Sequence, residues 1–114
     1  MDTYLDMFED IFVSVGSDGE IIHVNRSAAE LFEYSKDEMK GKNWFDDLMP
    51  GFIGGNLRNA FQVLKDPEME PEDYFEIPVL TKSGLEKKVG WRNQIIRDGE
   101  KITFISCGKD ITER

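Results

Sequence analysis

Residues 101–114, KITFISCGKDITER, leave little freedom in how the rest of the chain is arranged. Ile102, Phe104 and Ile105 mark an apolar strand with no helix-favouring run, nearly continuous enough to read as buried. After Gly108 the character changes. Asp110, Ile111, Thr112 and Glu113 spell D-x-x-E, in which Asp110 accepts from the amide of Glu113 and Glu113 reaches back to the amide of Asp110. A buried strand that runs into the first turn of a helix here implies a helix continuing elsewhere. The expectation is a module of a longer protein.

The residues ahead of this stretch supply its neighbours. Tyr4, Leu5 and Phe8 fall at helical spacing among acids, which predicts an amphipathic cap helix over residues 1–9 that packs on the domain or on a second copy. Phe12, Val13 and Val15 make a strand, Ser17, Asp18 and Gly19 a tight turn, and Ile21, Ile22 and Val24 the returning strand. Two capping-box patterns follow, Ser27-x-x-Glu30 and Ser35-x-x-Glu38, each opening a short helix with Leu31, Phe32 and Met39 on its buried side. Trp44, Phe45, Leu48 and Met49 form an apolar turn before Pro50. Ile53, Leu57, Ala60, Phe61 and Leu64 then keep a 3.6-residue period, with Gly54 and Gly55 each weakening that helix by about 1 kcal/mol relative to Ala.

Asp66-Pro67 ends the long helix, and residues 68–73 read as a solvated acidic loop whose spacing matches no calcium loop. Residues 74–80 and 86–96 alternate as two further strands, with Pro78 suited to an edge. Lys82-Ser83-Gly84 and Asp98-Gly99 are the turns between strands. Hairpin, helical block and three-stranded meander together predict an α+β domain: one antiparallel sheet with short helices packed on one face. The divisions are a cap helix at residues 1–10, the domain at 11–110 and an outgoing helix from 111–114.

Composition narrows the function classes. A formal net charge of −9 argues against nucleic acid or anionic lipid as a partner. Apolar runs are a few residues long, so this segment predicts no membrane contact, and the single cysteine fits a reducing cytoplasm. One histidine leaves no Ser-His-Asp set, and there is neither a glycine-rich phosphate loop nor a phosphoacceptor box around His23. The segment is read as non-catalytic. His23 lies mid-strand and is read as solvent-facing, with no second ligand near it for a metal. Cys107 is read as a small buried residue of the last strand.

The order and spacing of the motifs carry a resemblance. Ser17-Asp18-Gly19-Glu20-Ile21, Val24-Asn25-Arg26-Ser27-Ala28-Ala29-Glu30-Leu31-Phe32, Tyr34-Ser35-Lys36-Asp37-Glu38-Met39-Lys40-Gly41-Lys42, Lys82-Ser83-Gly84, Val89-Gly90-Trp91-Arg92-Asn93 and Asp98-Gly99 through Asp110-Ile111-Thr112-Glu113-Arg114 together resemble the PAS domain, the sensory box of signalling proteins. The resemblance runs from about Phe8 to Arg114. The chain departs from it at Gly16, where the family often has an acidic residue that caps the hairpin turn.

The resemblance implies a sheet of order 2-1-5-4-3 with the fifth strand central. It also implies that Asp110, Ile111, Thr112 and Glu113 transmit a signal to an output domain in the same parent chain, a two-component histidine kinase in the leading reading. Val89, Trp91 and Asn93 share a strand face, with Trp44 and Phe61 across from it. A ligand pocket is accordingly expected among Trp44, Leu57, Phe61, Phe75, Val89, Trp91, Asn93, Ile105 and Cys107, with Asn93 as polar anchor. The resemblance leaves the occupant open between a non-covalent flavin, as in a redox sensor, and a small metabolite. Haem is disfavoured because the long helix carries no histidine, and covalent flavin photochemistry because the Asn-Cys-Arg context is absent. The competing reading is a ligand-free homodimerisation domain using Tyr4, Leu5 and Phe8.

Overall fold

The computed structural model describes residues 2–113. Its elements in chain order are α1 (Asp2–Leu5), β1 (Ile11–Gly16), β2 (Ile21–Val24), α2 (Arg26–Phe32), α3 (Lys36–Lys40), α4 (Gly51–Val63), β3 (Tyr74–Leu80), β4 (Glu86–Asp98) and β5 (Lys101–Asp110). The five strands form one sheet of order β2-β1-β5-β4-β3, antiparallel throughout. β5 is central, bonded to β1 from Ile11↔Gly108 to Gly16↔Thr103 and to β4 from Val89↔Asp110 to Asp98↔Lys101. Pro78 sits on the edge strand, where its missing N–H costs no ladder bond on the open side.

Cross-strand partners share a face, so the registers fix which side chains meet the helices. Val13 opposite Ser106, Val15 opposite Phe104, Trp91 opposite Gly108 and Phe75 opposite Trp91 lie on the covered side. On it the rings stack edge-to-face: Phe32 and Trp44 at 5.8 Å, Trp44 and Trp91 at 5.3 Å, Phe45 and Phe61 at 5.0 Å. Both tryptophans are essentially sealed from solvent.

Helix starts divide between the two expected caps. Ser35 and Glu38 make the reciprocal capping box of α3. At α2 the cap is Asn25, two residues ahead of Ser27: its Oδ1 accepts from Ala28 N and Phe12 N, and its Nδ2 donates to the carbonyls of Leu5 and Asp10. Ser27 Oγ instead donates to the Phe8 carbonyl. Those bonds also shorten the N-terminal helix. With the Leu5, Phe8 and Asp10 carbonyls directed at α2, and Asp6 accepting from Arg26 N at 2.6 Å and Lys36 Nζ at 2.7 Å, the chain past Leu5 is held in irregular form. The helix expected over residues 1–9 is therefore confined to Asp2–Leu5, Met1 lies outside the described residues, and Phe8 falls beyond the helix.

The hairpin turn resolves the Gly16 departure. A Cβ at Gly16 would sit 1.6 Å from Glu20 Oε1, so the glycine clears space for the Glu20 carboxylate, which accepts from Asp18 N. The acid comes from the far side of the turn. Gly19 holds φ at +92°, the left-handed conformation the turn needs.

Candidate ligand-binding site

Between α4 and the β3–β4–β5 part of the sheet lies a cavity of about 510 Å³, inside the size range of small-molecule sites. α4 contributes Ile53, Leu57, Ala60 and Phe61, and its C-cap Leu64 continues the same face. The sheet contributes Phe75, Ile77, Asn93, Phe104 and Ser106, and the segment from Met69 to Glu72 roofs it. Phe61 and Phe104 meet at 4.1 Å at its inner end.

Two polar side chains are buried in this apolar wall, and they bond to each other. Ser106 Oγ donates to Asn93 Oδ1 at 3.0 Å. Asn93 also holds the roof: its N–H donates to the Asp73 carbonyl at 3.1 Å, and its Nδ2 lies 3.4 Å from the carbonyls of Glu72 and Trp91. Four residues along β4, Arg97 spans the other end of the same loop, donating through Nη1 to the Leu64 carbonyl at 2.8 Å and through Nη2 to the Met69 carbonyl at 2.6 Å. One strand thus fastens the roof at both ends.

The family model for the PAS domain matches residues 9–113. The chain belongs to the PAS domain family. Solved PAS domains share the fold at low identity. A Desulfitobacterium hafniense PAS domain aligns with TM-score 0.81 and 13% identity, covering 96% of this chain and 99% of its own. A domain of a Geobacter sulfurreducens sensory box sensor histidine kinase/response regulator gives 0.74 and 19%, over 95% and 91%. The PAS domain of the Cronobacter turicensis RpfR quorum-sensing receptor, in complex with BDSF, gives 0.77 and 22%, over 92% and 96%. No curated protein matches the chain.

Leu57, Phe61, Phe75 and Asn93, four of the expected pocket residues, stand on the wall of this PAS domain's cavity. Trp44, Val89 and Trp91 lie deeper in the core, away from its lining; the Trp91 indole N–H has no hydrogen-bond acceptor there. Ile105 and Cys107 are corrections. They occupy the opposite face of β5, because Phe104, Ser106 and Gly108 take the inward positions. Cys107 is exposed on the outer face, where desolvation and the charge of Asp10 raise its thiol pKa. It has no part in the core or the cavity. Sequence reasoning also missed Phe104, Ser106 and Arg97. Ser106 was legible only as the position alternating with Phe104, and Arg97 lay one residue past the expected end of its strand.

The C-terminal junction is stapled to the start of β4. Ile111 N donates to the Lys88 carbonyl at 2.8 Å, and Lys88 N to Thr112 Oγ1 at 3.0 Å. Asp110 Oδ1 accepts from Thr112 N at 3.0 Å and from the Thr112 hydroxyl. This turn bonds Asp110 two residues ahead, in place of the expected contact with Glu113. Desolvation pushes the Asp110 carboxyl up, but the Thr112 hydroxyl and amide, with Lys87, outweigh it and hold its pKa below the ordinary value. Residues 111–113 are not helical, and Arg114 lies outside the described residues.

His23 is exposed on β2, and Tyr4 and Phe8 are exposed while Leu5 is half-buried. Among the described residues, no helix is long and apolar enough to cross a membrane.

Proposed function

We propose that this PAS domain is the ligand-sensing module of a cytoplasmic signal-transduction protein, a histidine kinase in the leading form of the reading. The observation that carries it is the apolar cavity with the Asn93–Ser106 pair buried in its wall. Fold alone does not assign a role, but a roomy apolar site with one polar anchor is how small-molecule pockets are built. A ligand on Asn93 competes for the bond to Ser106, and Ser106 lies on β5, four residues before Asp110. A ligand with unequal affinity for two settings of that bond biases the β4–β5 pair. The bias is read at the Asp110–Thr112–Lys88 staple by the outgoing segment. A domain of a sensor histidine kinase/response regulator has the same fold, which admits the kinase form of the reading without assigning it.

A second reading, homodimerisation, draws on the exposure of Tyr4, Met7 and Phe8 at the N-terminal segment. Native and denaturing mass spectra of the purified chain, with an absorbance scan, separate the two. An added mass lost on denaturation supports sensing, and its absorbance distinguishes a flavin from a colourless metabolite. A bare mass of twice the chain supports dimerisation. A bare monomer that takes up no ligand from a metabolite extract counts against both.

A further inference from the structure

We infer that the cavity selects an uncharged apolar molecule bearing one hydrogen-bonding head, such as a hydroxyl, amide or ester, and discriminates against the matching carboxylate. The inference rests on the ligand-sensing reading above.

The wall offers a head group neutral partners. Asn93 and Ser106 are 9% and 3% exposed, and both are uncharged. The Asn93 Nδ2 contacts to Glu72 and Trp91 are both 3.4 Å, at the long end of hydrogen bonding, so this donor has capacity to spare. The Ser106 hydroxyl rotates, and so presents a donor or an acceptor as the head requires. A hydroxyl or amide head replaces these contacts like for like.

A carboxylate meets the opposite environment. Among the described residues lining the cavity none is Lys, Arg or His, while Glu70 and Glu72 place two carboxylates at the roof. Arg97 is the guanidinium that secures that roof, and two of its nitrogens are already committed to the Leu64 and Met69 carbonyls. Its side chain lines a separate depression with Ser17 and Lys65. A buried anion would therefore exchange water for neutral dipoles with no counter-charge, which is the unfavourable way to bury a charge.

The test titrates 1-decanol and decanoate into the isotopically labelled chain at about pH 7.5, where the acid is ionised. The readout is the Asn93 side-chain amide resonance. Decanol is expected to shift it and to bind at least ~10-fold more tightly than decanoate. In the doubly charge-reversed variant Glu70→Lys/Glu72→Lys, both positions being exposed, the preference for decanol over decanoate is expected to shrink several-fold. Decanoate binding the native chain as tightly as decanol would overturn the inference and leave the sensing reading standing. Neither compound perturbing Asn93 or its neighbours would overturn the inference, and the sensing reading falls with it only where the chain also takes up no ligand from a metabolite extract.

Discussion

Ser106 on β5 donates to Asn93 on β4 across 3.0 Å, beneath the loop whose Asp73 and Glu72 carbonyls face Asn93 from the other side. A single amide therefore touches the central strand, the cavity and its roof. In the proposed sensing role, that shared position makes Asn93 the point where ligand occupancy passes to the β4–β5 pair.

Removing only one member of this pair is the costly change. Ser106→Ala leaves the Asn93 Oδ1 buried without its donor, at about 1–3 kcal/mol in denaturant unfolding. In the double variant Asn93→Leu/Ser106→Ala neither group remains to be satisfied, so the loss is expected to fall short of the summed single losses by about 0.5–1 kcal/mol or more. Strict additivity would show that the two side chains are energetically independent.

Arg97 is expected to govern the roof more than the core. Arg97→Met keeps the aliphatic stem and removes the donors to Leu64 and Met69. The expected loss is about 1–2 kcal/mol, with faster amide exchange and faster limited proteolysis confined to residues 65–73. Exchange that quickens evenly over the whole sheet would contradict a local clamp.

At the junction, Asp110→Ala and Thr112→Val break the same staple from its two ends. Each is expected to cost the isolated domain about 1 kcal/mol or less, since the contacts are exposed. In the proposed signalling role, each is also expected to uncouple the output of the full-length parent. A parent whose response to its stimulus is unaltered in both variants would sink the transmitting role.

Acid stability follows from the N-terminal tether. The hydrogen bond from Lys36 lowers the Asp6 pKa, desolvation raises it, and the Arg26 amide adds to the lowering, so the carboxyl titrates below its ordinary 3.8. A depressed folded-state pKa means the contribution is complete above that ordinary value and is lost as pH falls through the folded one. Asp6→Asn is accordingly expected to be less stable than the native chain at neutral pH and to converge with it on acidification below 3.8. A gap that stays constant with pH would show that the carboxylate charge is not involved.

What could be read ahead of the structure, and what could not, divides along physical lines. β3 is Tyr74–Leu80 as expected, because alternation and a flanking turn define a strand without reference to anything distant. The phase of β5 is different. With Ile102, Phe104, Ile105 and Cys107 apolar on both faces, the pattern alone does not say which side is inward. Ser106 settles it by finding Asn93 on the neighbouring strand, and such a cross-strand partner leaves no trace in one strand's periodicity. Asn25 displaced Ser27 as the α2 cap for a related reason: its four bonds reach Leu5, Asp10, Phe12 and Ala28, three of them outside the helix. The cavity's apolar wall was partly legible from the α4 period. Its roof was not, since a polar loop held by main-chain carbonyls resembles any solvated loop.

The paired glycines of α4 carry the sharpest version of this distinction, because helix propensity treats them alike and packing does not. An added Cβ at Gly55 meets nothing within 4 Å, whereas one at Gly54 would lie 2.0 Å from the backbone carbonyl oxygen of Phe45. Gly55→Ala is expected to raise stability by about 0.5–1 kcal/mol through the reduced entropy of the unfolded chain. Gly54→Ala forces α4 away from the Trp44–Phe45 turn, and overpacking of this kind costs about 1–3 kcal/mol. Because the shift would also move Leu57 and Phe61, the same substitution is expected to weaken ligand uptake, which Gly55→Ala leaves intact. Equal thermal midpoints for the two variants would show that α4 does not sit this close to Phe45, and the cavity wall built on that helix would have to be redrawn.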